Sequence, residues 1–233
     1  MCWTLHHNCN VTLFGSTNCL ILKRRLFKNC LLLNVYPPPS LSHRDLTENL
    51  QATLAKRGIN LDIATSRDLK EKLGYVSLDY NTDMLTESSS IEKTYVLPNG
   101  KTITVGNERF VCTEPLFETT QLDGGMHVQT FCSILKCDTD IRKDLYSNIV
   151  LVGGSSMFAG IRERLQKEVR TLAPPALKVE VVSPPERRHS AWRGGSILAS
   201  APGTTNMWMT KQDYEEYGPT MIHRKYRPFY EEI

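Results

Sequence analysis

The apolar positions of this chain change period several times, and each change marks an element. Leu46, Leu50 and Leu54 recur every four residues behind Asp45 and Glu48, whose spacing resembles a capping box, and Gly58 follows as a stop. The pattern predicts a helix from Asp45 to Gly58. Arg67 to Leu73 predicts a shorter helix, Tyr75 to Tyr80 a strand, and the polar TDMLTESSSIEK a connection with a short helical turn. Tyr95–Leu97 and Lys101–Val105 flank Pro98, Asn99 and Gly100, and an Asn-Gly pair between two such runs signals a hairpin. From Glu108 onward the periodicity is mainly helical, broken by strands at Ile149–Val152 and Val179–Val182. Ile161, Leu165, Val169 and Leu172 share one face of a helix from Gly160 to Leu172. Strands alternating with helices predict an α/β (mixed α+β) fold, with helices packed on a sheet.

The stretch NIVLVGGSSMFAGIRERLQKEV, Asn148 to Val169, joins an apolar strand to an amphipathic helix through Gly153, Gly154, Ser155 and Ser156. Small residues let a backbone approach a ligand closely, and open α/β sheets bind ligands past the carboxyl ends of their strands. Met157 and Phe158 would then form an apolar plate for a flat ring. The same layout also serves as a plain strand-to-helix connection.

Composition narrows the classes. The 233 residues are 40% hydrophobic and 23% charged, an ordinary globular balance that allows a real core. Lys23, Arg24, Arg25 and Lys28 stand in a leader, Met1 to Ser40, that has no Asp or Glu, and they account for more than the formal +3. The body is near neutral, so charge gives no argument for nucleic acid. Cys2, Cys9, Cys19 and Cys30 also fall in the leader, leaving Cys112, Cys132 and Cys137 as reduced, small apolar core residues without a disulfide framework. No apolar run is long enough to span a membrane, and His6-His7-Asn8-Cys9 matches no zinc spacing. Pro37, Pro38 and Pro39 end the leader, which is expected to be disordered. Asp138, Asp140 and Asp144 read as helix capping and surface pairing, and His127, His189 and His223 have no nucleophile at motif spacing.

The blocks LSHRDLTENL, KEKLGYVSLDY, LPNGKTITVGNERF, KCDTDIRKDLYSN, SPPERRHSAWRGGSILAS and MWMTKQDYEEYGPTMIHRK run collinearly from Leu41 to Arg224. Together they resemble the C-terminal half of actin or a close actin-related protein. The resemblance implies an actin-like (ribonuclease H-like, Hsp70-type ATPase) fold of which only the C-terminal lobe is represented. Its fourth subdomain would span residues 41–105 and its third 106–189, with 190–233 forming the C-terminal part of the first and a short tail.

In that family the adenosine side of ATP is held by a charged helix face, a glycine-rich turn and a cation after Pro-Pro-Glu. By resemblance these are Arg67, Lys70 and Glu71; Gly153, Gly154, Met157 and Phe158; and Arg188. A carboxylate accepts from ribose hydroxyls, while long cationic stems pack on purine faces. Actin has tyrosine at Phe158, lysine at Arg188 and glycine at His43, and is longer between Gly58 and Lys70 by about one helical turn. The phosphate hairpins DNGSG and DSGDG occur nowhere in this sequence. Because phosphoryl transfer rests on positioning and charge stabilisation, the expectation is no catalysis, weak ATP or ADP binding and no Mg²⁺ site.

For assembly, the resemblance implies a partner groove at Ile197, Leu198 and Met207, and a plug loop between Phe117 and His127 that keeps only Leu122 and Met126 as large apolar residues. It implies a cytoplasmic, cytoskeletal structural protein, truncated or divergent, that binds actin or actin-binding proteins or self-associates, without nucleic acid or membrane. The alternative is an ATP-binding actin-related protein with weak or no hydrolysis, such as a scaffold subunit of a complex.

Overall fold

The computed structural model describes residues 11–14, 43–86, 88–118, 124–201 and 208–221. Strand β1 (Val11–Phe14) comes first. Helix α1 (His43–Ala55) buries Leu46, Leu50 and Leu54, and the left-handed Gly58 (φ 78°) ends the turn after it, its amide donating to the Ala55 carbonyl at 2.9 Å. Helix α2 (Ile63–Leu73) starts ahead of Arg67 because Asp62 caps it, its carboxylate accepting the amides of Ala64 and Thr65.

The strand expected over Tyr75–Tyr80 does not form. Tyr75 makes a single bridge with Ala159, and Asp79 then caps a short helix, α3 (Tyr80–Leu85), by accepting the Thr82 amide. A further turn, α4 (Ser88–Ile91), leads into β2 (Lys93–Val96) and β3 (Thr102–Val105), an antiparallel hairpin as the Asn-Gly pair predicts.

Helix α5 (Glu108–Val111) and a 3₁₀ turn (Glu114–Leu116) precede α6 (Met126–Leu135) and α7 (Thr139–Ser147). Then come β4 (Ile149–Val152), a 3₁₀ turn (Gly154–Met157), α8 (Ile161–Leu172) and β5 (Val181–Val182). A 3₁₀ turn (Arg187–His189), α9 (Ser190–Ser200) and α10 (Lys211–Tyr217) complete the described elements; Thr210 and Asp213 form a capping box on α10.

The main sheet is parallel, in the order β1-β4-β5, with Val11 opposite Ile149 and Phe14 opposite Val152. The expectation of a leader without fixed structure therefore fails at Val11–Phe14. All four residues of β4 are buried; β5 pairs with Ile149 and Val150 on one edge, and β1 pairs with all four residues on the other. Strand β5 is shorter than predicted. Glu180 instead exchanges backbone bonds with Tyr146 (2.9 Å) and Ile149 (3.1 Å).

Two apolar clusters result. One lies beneath β4 and α8 and gathers Leu46, Ile134, Leu145, Tyr146, Leu151, Phe158, Leu165 and Val169 among others. The second joins Leu50, Leu54, Leu69, Tyr95, Val105 and Cys112 between α1, α2 and the hairpin. On α8, Ile161, Leu165 and Val169 are buried as predicted, but Leu172 is exposed and Ala173 packs in its place. Of the three body cysteines, Cys112 is buried and Cys137 half-buried, whereas Cys132 is exposed and not a core residue. Met126 packs against the larger cluster, while Leu122 lies outside the described residues.

Arg164 ties α8 across the larger cluster. Though buried, its guanidinium donates to Glu114 (3.0 Å), Glu168 (2.6 Å) and the Ser77 carbonyl (2.9 Å), and it lies over the Phe117 ring at 5.1 Å. Burial raises the pKa of Glu114 despite that cation. Glu108 plays the matching part at the smaller cluster, accepting from Arg57 (2.6 Å) and from the Gly106 amide (2.9 Å).

Candidate functional site

Asp62 sets the phase of α2, and that phase divides the three charged residues implied there. Arg67 and Glu71 lie on the exposed side, Arg67 Nε donating to Glu71 Oε1 at 3.1 Å. Arg188, in the turn after Pro-Pro-Glu, brings its guanidinium to 3.7 Å from Glu71 Oε2, an ion pair too long for a hydrogen bond. The structure thus gathers a carboxylate between two guanidiniums from separate parts of the chain. Glu71 can accept from hydroxyls there, and the arginines can donate to anions or stack on a ring.

Lys70 does not join them. It is fully buried between α1 and α2, and its ammonium donates to Thr47 Oγ1 at 2.6 Å. Burial lowers its pKa from 10.5 to about 8, opposed in part by the Glu71 carboxylate. Cys112 in turn is pushed up from 9.0 to about 12 by burial.

The glycine-rich turn lies where the sequence implies, at the carboxyl end of the central strand β4. Gly153 takes φ 96°, a conformation open mainly to glycine, and its amide donates to the Arg187 carbonyl at 2.8 Å. Nothing stands within 4 Å of a Cβ built on Gly154, so that residue faces open space. Ser156 is buried and closes the turn onto the Gly153 carbonyl (2.7 Å).

Met157 is exposed, as a plate for a ring requires, but Phe158 is not: it belongs to the larger cluster. Its ring edge lies 3.0 Å from where a Cβ on Gly74 would sit, so the end of α2 packs on it. Just beyond, Gly160 (φ 82°) lets the chain pass Val76, whose carbonyl a Cβ would meet at 2.3 Å, and the Val76 amide donates to Ala159 (2.8 Å). A cleft of about 370 Å³ opens along this contact, lined by Tyr75, Val76, Ile91, Arg109, Ala159 and Gly160 among others, and by none of the eight residues implied for adenosine.

Arg187 is the residue that sequence reasoning missed. Its Nε donates to the Ser156 carbonyl (2.9 Å) and its Nη1 to Pro184 (3.1 Å), fastening the post-proline turn to the glycine turn. Two adjacent arginines follow Pro-Pro-Glu, and nothing in the spacing says which one turns inward. His43 begins α1, and its side chain is not among those described.

Of the partner-groove residues, Ile197 is exposed on α9, the Leu198 side chain is not described, and Met207 lies outside the described residues. Neither α9 nor any other helix among the described residues is long and apolar enough to cross a membrane. Among those residues no group of three or more His, Cys, Asp and Glu side chains is placed to hold a metal ion.

Residues 40–227 match the actin family. This chain belongs to the actin family. Its mixed helix and strand architecture is an actin-like α/β fold. For the nucleoside that members of the family hold, the fit is partial: Arg67, Glu71, Gly154, Met157 and Arg188 lie on exposed ground, whereas Lys70 and Phe158 are committed to the interior.

Proposed function

We propose that this actin-family chain is a cytoplasmic, cytoskeletal structural protein that acts by binding actin or actin-binding proteins rather than by catalysis. The observation that carries the reading is the buried Lys70, whose ammonium donates to Thr47 instead of facing solvent beside Arg67, Glu71 and Arg188. The α9 and α10 region supports it from the other side. Trp192, Ile197, Trp208, Tyr214 and Tyr217 are all exposed there, and aromatic residues of this kind anchor protein interfaces.

Co-sedimentation with polymerised actin, together with pull-down of actin-binding proteins, tests it. Association in either assay is expected, and its absence from both removes the cytoskeletal role. A second reading, an ATP-binding scaffold subunit with weak or no hydrolysis, draws on the Arg67–Glu71–Arg188 grouping. Titration calorimetry with ATP and Mg²⁺ separates the two: a dissociation constant below roughly 10 μM, about 7 kcal/mol of binding, favours the scaffold reading.

A further inference from the structure

Strand β1 lies outside the residues that match the family. The match begins at residue 40, yet Val11–Phe14 forms one edge of the main sheet and pairs with all four residues of β4. Strand β5, inside the matched region, pairs with only Ile149 and Val150. The family-matched part therefore leaves a whole edge of β4 to a strand that it does not itself provide among the described residues. An apolar strand with a bare edge is a template for another strand. Here the template is buried along its full length and its register is set, Val11 to Ile149 through Phe14 to Val152.

We propose that the β4 edge is a strand-acceptor site that β1 fills within its own chain, and that on displacement the same segment of a second copy takes its place. A second copy fits because its segment is identical and makes the same four register pairs. Exchange of an identical element is a low-cost route to a dimer. This inference does not rest on actin binding or on nucleotide, and neither enters its test.

Hydrogen exchange on the intact chain is the first measurement. The amides of 149–152, and those of 11–14 that face β4, are expected to exchange at least a hundred-fold more slowly than in an unstructured peptide. Unstructured rates throughout 11–14 overturn the proposal without any variant. In parallel pairing, alternate residues of a strand bond to a given neighbour, so a Thr12→Pro, Leu13→Pro double variant removes a β4-facing donor whichever residue carries it.

In that variant, exchange at the Val150 and Val152 amides, which alternate with the β5-facing Ile149 amide, is expected to rise at least ten-fold. A fluorescent synthetic peptide of residues 8–17, standing for the second copy's strand, is expected to bind the variant at least ten-fold more tightly than it binds the intact chain, and a scrambled peptide to bind neither. Equal binding of the native peptide to both chains, binding to neither, or equal binding of the scrambled peptide overturns the proposal. Light scattering on the variant mixed with intact chain is expected to show mixed dimers. Their absence at concentrations where the peptide saturates the variant overturns the second copy as occupant.

Discussion

The cluster between α1, α2 and the hairpin and the cluster beneath β4 and α8 are built by different rules. The first is assembled from neighbours in sequence: Leu50, Leu54 and Leu69 lie on consecutive helices, and Tyr95 and Val105 on the hairpin that follows. The second needs β4 and β5 side by side, with α8 laid against β5 and Arg164 reaching back to Ser77 and Glu114. The implied adenosine face runs along their seam. Glu71 and Arg188 meet across it, while Lys70 drops into the local cluster and Phe158 into the long-range one. A site assembled from two such units inherits the constraints of both, and two of its eight side chains are taken up by packing.

The strongest way to break the contrast is Arg164→Ala. It leaves Glu114 in a partly buried position without its cation, and a cost of about 3–5 kcal/mol is expected. Urea denaturation measures it, and hydrogen exchange should show β4 and α8 loosening first. Leu50→Ala attacks the local cluster and should cost about 3 kcal/mol, because the cavity between two helices relaxes only partly. In that variant α1 and α2 should exchange faster while β4 keeps its protection; equal loosening of both regions would mean the clusters are not separate.

Lys70→Met sharpens the comparison from the other direction. Below about pH 8 the ammonium is charged in folded and unfolded chains alike, so the burial penalty is present in full. As pH rises past about 8 the folded chain binds fewer protons than the unfolded one, and stability increases. From pH 9.0 upward the buried Cys112 opposes this trend, because its thiol stays protonated in the folded chain up to about 12. The wild-type protein should therefore gain stability between pH 8 and 9. Lys70→Met should abolish that gain and be more stable at pH 7 by an amount of order 2 kcal/mol. Chemical denaturation at three pH values checks both statements. The smallest effect is expected for Arg188→Ala: an exposed ion pair at 3.7 Å contributes under about 0.5 kcal/mol, so the melting temperature should barely move.

The parts of the fold that could be read from the chain were those decided locally. The Leu46–Leu50–Leu54 stripe gave α1, the Asn-Gly pair the hairpin, and the apolar run Ile149–Val152 its strand. At Tyr75–Tyr80 the reading failed, since Asp79 works as a cap, which a short β-like pattern does not reveal. At Val11–Phe14 the difference has another origin. Val11–Phe14 is a strand only because β4, far along the chain, offers an edge.

For the candidate site the division is the same. Residue types and order pointed to Arg67, Glu71, Gly153, Gly154 and Arg188, and to membership of the actin family. That Lys70 faces Thr47, that Phe158 packs inward and that Arg187 holds the two turns together could only be decided in three dimensions. The amino-acid order by itself determined α1, the hairpin and the apolar strand β4, because those choices depend on neighbours a few residues away. The tertiary structure alone decided which charged groups stay in water, because that follows from the phase at which helices dock, and docking is set by apolar partners distant in sequence.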